Sequence, residues 1–196
     1  MTTWMDSINN GITIAIVYGS LLFIPGLLGS ILLNGGRFNI AKHILNTLFF
    51  GYLCCVFSLV FLPLPTAGTQ LAGHQIQLIP GYSLYDIVRN PSVRAVAQVL
   101  FNIVMTVPFG AYLKYYWNMD FKKIVFASFA LTLFIEIGQF TGLFFLYSGS
   151  YRLCDVDDLI CNTLGGALGA WITSKCAFLP DLNLFDRMVL RFRHNL

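Results

Sequence analysis

Long apolar stretches separated by short polar turns dominate the chain. Each stretch is long enough to cross a bilayer, since a spanning helix takes about 20 residues. The predicted spans lie near residues 8–33, 41–62, 93–116, 124–147 and 156–174. This pattern predicts an all-α, polytopic membrane helical bundle with about five transmembrane helices. We expect the whole chain, residues 1–196, to form a single membrane domain.

The composition agrees with this prediction. Hydrophobic residues make up 57% of the chain and charged residues 11%, whereas soluble domains carry about 25% charged residues. The net charge of +3 is small and gives no reason to expect a nucleic-acid partner. The five cysteines show no paired CxxC spacing, so no structural zinc site is expected, and no cofactor is predicted. They are interpreted as apolar residues within helices, although a disulfide between Cys154 and Cys161 stays open.

The distribution of Lys and Arg predicts the orientation of the bundle. Nine of the twelve fall on one side: Arg37, Lys42, Lys114, Lys122, Lys123, Lys175, Arg187, Arg191 and Arg193. Only Arg89, Arg94 and Arg152 fall on the other side. Because positive charge is enriched in cytoplasmic loops, we expect the N-terminus outside and the C-terminus in the cytoplasm.

Two irregular regions interrupt the regular pattern of spans. Pro108 and Gly110 stand inside the third span, where we expect an interruption of the helix. The long connection over residues 66–92 is too apolar at its centre for a free loop. We expect it to fold back against the bundle or to lie at the membrane interface.

Glu136 is the most informative residue, because it lies inside an otherwise apolar run. A carboxylate near the centre of a bilayer costs about 2.5–3.5 kcal/mol, so such a residue suggests a functional site. Counting from the predicted outer ends of the spans places Glu136 roughly 16 Å deep, Asn102 roughly 13 Å and Asn162 roughly 9 Å. All three therefore fall in the outer half of the membrane, on three different helices.

Buried polar groups in lipid need partners, so we expect these residues to share one polar pocket that opens outward. The predicted ligand-binding residues are Arg94, Asn102, Glu136, Gln139, Arg152, Asp155, Asp157, Asp158 and Asn162. Arg152 or Arg94 would pair with Glu136. Other interpretations stay open: Asn102 can act as interhelical hydrogen-bond glue, and at least one aspartate can cap a helix. The glycines of the last span can pack helices within the chain or form a dimer.

The chemistry of this pocket is left open by the residues alone. Glu136, Asp157 and Asp158 are candidates for a general acid or base, but nothing in the pattern requires catalysis. The aspartates together with Glu136 could hold a divalent cation through oxygen ligands. Arg152 in the same loop argues against a cation, because it can neutralise the carboxylates itself.

A set of motifs over Ile76–Trp171, about half of the chain, resembles the VanZ-like family of bacterial membrane proteins. The motifs are Leu78-Ile79-Pro80, Asn102, Pro108-Phe109-Gly110, Ile135-Glu136 with Gln139, Arg152, Asp155, Asp157-Asp158, Asn162 and Gly165-Gly166. One departure is Gln77, where the family often has Asn before Leu-Ile-Pro.

The resemblance implies a multi-pass protein of the bacterial plasma membrane with a role in glycopeptide resistance, to teicoplanin in particular. It implies no settled mechanism. The expected partner is a membrane lipid, a lipid-linked wall precursor or the drug itself, and a homo-oligomer is a further expectation. The alternatives are an intramembrane enzyme that modifies a lipid, a small transporter, and a subunit of a membrane complex.

Overall fold

The computed structural model describes residues 40–61, 73, 76–147, 149–150 and 153–182, together with Asn9, Thr13, Val17 and Leu28. The chain divides into two compact units, which are described separately: Met1–Leu62 with Cys176–Leu196, and Pro63–Lys175. The first unit contains helix α1, Ile40–Phe61. The predicted span at residues 8–33 lies outside the described residues apart from isolated positions.

The second unit is built from helices and one short pair of strands. Its elements are β1 Ile76–Gln77, α2 Tyr82–Arg89, α3 Val93–Trp117, α4 Phe121–Phe140, α5 Gly142–Phe145, β2 Cys154–Asp155 and α6 Val156–Lys175. The strands pair in parallel, with Ile76 opposite Cys154 and Gln77 opposite Asp155. The all-α prediction is confirmed, with this two-residue pairing as an addition.

Three described helices are long and apolar enough to cross a membrane: Ala41–Phe61, Val93–Trp117 and Phe121–Phe140. Helix α6 also has 20 residues, but it is not among them, and Asp157, Asp158 and Asn162 in its first turns lower its hydropathy. The total of five spans and the orientation of the bundle therefore stay predictions.

Helix α3 corrects one expectation about the third span. It begins after Ser92, whose hydroxyl accepts a hydrogen bond from Ala95 N–H at 3.1 Å. It then runs without interruption through Pro108 to Trp117. The predicted break at Pro108 and Gly110 was wrong, because Gly110 packs closely against α6 and this tertiary contact outweighs the helix-breaking tendency of proline.

Helix α4 ends seven positions before the predicted end of the fourth span, at Phe140 rather than near residue 147. The four residues of α5, Gly142–Phe145, all have positive φ, so the chain turns sharply there. A Cβ on Gly142 would lie 2.4 Å from the Gly149 carbonyl oxygen, so this turn needs glycine. Glu136 consequently lies one turn from the end of its helix, about 6 Å along the axis. The count of helical residues up to residue 147 that gave roughly 16 Å therefore does not hold, and the depth of Glu136 in the membrane stays a prediction.

Close packing of α6 against α3 and α4 forms the core of the second unit. A Cβ on Gly110 would lie 1.8 Å from the Gly166 carbonyl oxygen, and one on Gly169 would lie 2.0 Å from the Val107 carbonyl oxygen. On the other side of α6, a Cβ on Gly166 would lie 2.0 Å from Ser128 Oγ of α4. The glycines therefore serve helix packing within the chain, as the small-residue pattern allowed.

A polar site at one end of the helix bundle

Three helices contribute matching residues to successive layers of the core. Helices α3 and α6 run parallel, so Asn102, Thr106 and Gly110 lie beside Asp158, Asn162 and Gly166. Helix α4 runs antiparallel to both and adds Glu136, Thr132 and Ser128 to the same three layers. Each set is spaced one turn apart, at i and i+4. The layers change from charged to polar to small along the bundle.

Glu136 is nearly fully buried, with 2% of its surface exposed. Its Oε2 accepts a hydrogen bond from the backbone N–H of Asp155 at 3.1 Å, and it also hydrogen-bonds the Cys154 thiol. The Asp158 carboxylate lies close enough to repel it. Among the described residues no Lys or Arg forms an ion pair with Glu136. The charge of this buried group is therefore not balanced by the part of the chain that the structure describes.

Asp158 is the second carboxylate of the charged layer. Its Oδ1 accepts a hydrogen bond from Asn102 Nδ2, and the Gln98 side chain also hydrogen-bonds it. Two amide donors from one face of α3 thus orient this carboxylate. Asn102 therefore links α3 to α6 by a hydrogen bond and also belongs to the predicted site, because its partner Asp158 is one of the site residues.

Asp155 and Asp157 serve the fold. Asp155 Oδ1 accepts from the Asp157 N–H at 2.9 Å and so caps the start of α6. The Asp157 carboxylate accepts from the N–H groups of Gly81 and Ser83, at 2.6 and 2.7 Å, and so caps the start of α2. Both side chains are buried. The prediction that at least one aspartate is a cap is confirmed. The Asp157 carboxylate, a candidate acid or base, is already engaged in these structural hydrogen bonds.

The strand pairing and Gln77 fix the segment that leads into α2. Gln77 Nε2 donates to the Ile79 carbonyl oxygen at 2.7 Å, and Ile79 N–H donates to Gln77 Oε1 at 2.6 Å. The side chain thus closes a ring with the backbone two residues ahead. Gln77, the one departure from the family pattern, supports the turn before Pro80 and does not enter the site.

The second layer contains polar atoms with no partner. Thr106 Oγ1 donates to the backbone oxygen of Asn162 at 2.6 Å. Asn162 Oδ1 and Thr132 Oγ1 are buried and have no hydrogen-bond partner within the described structure, and their side chains are 2% and 0% exposed. A buried polar atom without a hydrogen-bond partner costs about 1–3 kcal/mol. These two atoms lie one turn below the two carboxylates.

The remaining predicted site residues are placed differently. Gln139 is buried one turn beyond Glu136, and its carbonyl oxygen accepts from Ser150 Oγ at 3.1 Å. Arg94 is exposed near the start of α3, and among the described residues it forms no ion pair with Glu136, so the predicted pair could only involve Arg152. Arg152 lies outside the described residues. Across the described residues no group of three His, Cys, Asp or Glu side chains could hold a metal ion.

Sequence reasoning missed Thr132, Thr106 and Cys154. The two threonines could have been found by stepping one turn along the helices from Glu136 and from Asn102. Cys154 was interpreted as apolar filler, but it lies in β2 against Glu136. Cys154 and Cys161 are both free thiols, so the disulfide between them is excluded in this structure.

The environment of β2 shifts two ionisable groups. Burial, followed by the nearby Glu136 carboxylate, raises the pKa of the Cys154 thiol to about 12. Burial also raises the pKa of Asp155 above its ordinary value, although the hydrogen bond from the Asp157 N–H opposes this effect. Both groups are driven toward their neutral forms. This is expected where charge is already concentrated in a buried space.

A helical bundle with apolar helices of spanning length and a buried polar site defines this chain as an integral membrane protein. The sequence profile of the VanZ/LLP1 family matches residues 49–179. The chain belongs to that family, which links it to glycopeptide resistance in general. Searches of curated proteins and of solved structures found no match.

Proposed function

We propose that the polar site binds an amphiphile in the outer leaflet of the bacterial plasma membrane and that this binding contributes to resistance to acylated glycopeptides such as teicoplanin. The amphiphile is either the acyl tail of the drug with its adjoining polar groups or a lipid-linked wall precursor. The proposal combines family membership with the chemistry of the buried layers.

The observation that carries the proposal is a set of hydrogen-bond acceptors in excess of donors. Glu136, Asp158 and Asn162 Oδ1 present acceptor oxygens, and the Thr132 hydroxyl can accept or donate. The last two are buried without a partner among the described residues. Buried acceptors favour a ligand that supplies donors. Sugar hydroxyls and ammonium groups are such donors, and both kinds of amphiphile can carry them.

The cationic residues at the same end of the bundle complement this preference. Arg89 and Arg94 are both exposed, at the end of α2 and the start of α3. Guanidinium groups bind phosphate and carboxylate well. An amphiphile with an anionic group near the surface and hydroxyls or amines deeper would match both. Arg152, predicted for the same side, is assigned to the anionic group by the same argument.

Drug susceptibility in a sensitive Gram-positive host tests this function. We expect the wild-type protein to protect against teicoplanin more than against vancomycin, which lacks an acyl tail. Glu136→Gln and Asp158→Asn should lose most of the protection at equal membrane abundance. Asp120→Asn is the matched control, because Asp120 is a carboxylate in an exposed pair with Lys123 at 3.4 Å. If all three variants protect like wild type, the site is not used for resistance.

A second candidate is an intramembrane enzyme that modifies a lipid or lipid-linked substrate. The adjacent carboxylates Glu136 and Asp158 favour it, because two buried acids that repel each other readily divide into an acid and a base. This function predicts a chemically altered lipid or drug in expressing cells. Mass spectrometry of lipid extracts from cells with wild-type and Glu136→Gln protein would detect it, and identical extracts would exclude it.

A further inference from the structure

Helix α2 has its apolar side outward and its polar side toward the protein. Leu84, Tyr85 and Val88 are 60%, 54% and 80% exposed. Ser83 and Asp86, on the other side, are partly buried, and the Ser83 side chain hydrogen-bonds the carboxylates of the caps. A helix on the surface of a soluble protein has the opposite arrangement. This arrangement favours apolar surroundings for α2.

The apolar surface of α2 continues along the chain in both directions. Leu78 and Ile79, just before the helix, are 67% and 65% exposed, and Val93, the first residue of α3, is 89% exposed. Soluble proteins rarely expose a contiguous apolar patch of this kind. Only residues 90–92 separate α2 from α3, whose length and composition suit a membrane span. The exposed patch is thus continuous with a surface that faces lipid.

We propose that α2, with Leu78 and Ile79 before it, lies within the interfacial layer of the bilayer, with its apolar side against lipid acyl chains and its polar side over the carboxylate site. The occupant of the exposed face is membrane lipid. The helix has 8 residues and is about 12 Å long, which is too short to cross the membrane. It is also covalently joined to α3 at the membrane surface. Lying along the surface satisfies both constraints.

The polar residues of α2 suit the interface. Arg89 Nε donates to the Tyr85 hydroxyl at 2.9 Å, and the Arg89 guanidinium lies 5.5 Å from the centre of the Tyr85 ring. Tyrosine and arginine are typical of the level of the lipid headgroups, where an apolar body and a polar tip are both accommodated. Tyr82, 47% exposed, adds a second aromatic ring on the outer side.

This placement gives the buried site a wall toward the membrane. Asp157 holds the start of α2 through Gly81 and Ser83, and Asp158 is the next residue of α6. The membrane contact of α2 does not depend on the proposed function, because it rests on exposure and connectivity alone.

Fluorescence quenching by brominated lipids tests the placement in the full chain reconstituted into phosphatidylcholine vesicles. Trp4, Trp117 and Trp171 are first replaced by Phe, and single tryptophans are then introduced as Val88→Trp and Leu100→Trp. Leu100, 55% exposed in the third turn of α3, is the depth reference. Bromines about 5–10 Å below the headgroup boundary should quench the Val88→Trp signal roughly by half. Bromines deeper in the acyl chains should quench Leu100→Trp more strongly than Val88→Trp.

Two results would overturn the proposal. A tryptophan at position 88 that is quenched by aqueous iodide and not by brominated lipid would lie in water. One that neither reagent quenches would be covered by protein, either another part of this chain or a second copy. If the tryptophan-free background does not fold, Val88→Cys is compared with the unmodified chain in intact membranes. Labelling by a lipid-soluble maleimide but not by a membrane-impermeant one is expected, and the reverse would refute interfacial placement.

Discussion

Gly110→Ala adds one methyl group at the closest approach between α3 and α6, and we expect it to weaken this contact strongly. The added Cβ would lie 1.8 Å from the Gly166 carbonyl oxygen, and ordinary contact begins at 3.4 Å. The helices would have to separate by the difference, 3.4 − 1.8, or about 1.6 Å, because a backbone atom cannot rotate away. Overpacking of this kind costs typically about 1–3 kcal/mol. The same separation would pull Asn102 away from Asp158, two turns along the helices.

Equilibrium unfolding in mixed micelles measures the loss in the free energy of unfolding. Gly73→Ala is the matched control, because a Cβ there has no atom within 4 Å and Gly73 belongs to the same unit. We expect the control to stay within about 0.5 kcal/mol of wild type. Equal stability of the Gly110→Ala and Gly73→Ala proteins would refute the reasoning, since it would mean that the close approach of α3 and α6 does not hold this unit together.

Three further predictions concern the charged layer and its supports. Asp157→Ala removes the acceptor of two N–H groups at the start of α2 and should cost about 1–2 kcal/mol. Hydrogen exchange at the Ser83 amide should become faster, while the interior of α3 is unchanged. Asn102→Leu removes a donor to a buried carboxylate and should lower the free energy of unfolding by about 1.5–3 kcal/mol. An unchanged free energy of unfolding would mean that this hydrogen bond does not stabilise the fold. Because the pKa of Cys154 is raised to about 12, only about 10⁻⁴ of the thiol is ionised at pH 8, and its alkylation rate should still rise with pH above 10. Glu136→Gln removes a charge that raises the pKa of Cys154 and should therefore speed alkylation at pH 8. A wild-type alkylation rate that levels off near pH 9 would contradict the raised pKa of Cys154.

Much of the fold could be predicted from hydrophobic periodicity and helix signals. The spans at 41–62, 93–116 and 156–174 match α1, α3 and α6 within one residue at either end. The fourth span was extended too far because residues 141–147 are as apolar as the helix before them. Local composition cannot reveal a turn that depends on left-handed backbone at Gly142 and on its close contact with Gly149.

The residue types of the site could be chosen from the sequence, because a carboxylate, amides and aspartates in apolar helices are costly and need a reason. The role of each residue within the site could not be predicted from the sequence. Asp155, Asp157 and Asp158 stand almost side by side in the chain, yet two cap helices and one joins Glu136. Which aspartate does which depends on the direction of each side chain once α6 is docked against α2, α3 and α4.

Periodicity along one helix reports which residues share a face, and this was enough to predict polar faces on α3, α4 and α6. The register between α3 and α6 is set by the approach of Gly110, Gly165 and Gly169 to the backbone of the facing helix. That register brings Asn102 to Asp158, and Thr106 to Asn162. It arises from contacts between residues more than fifty positions apart, for which the local sequence has no signal. The elements and their polar faces are therefore local properties of the chain, whereas the site itself is produced by tertiary packing.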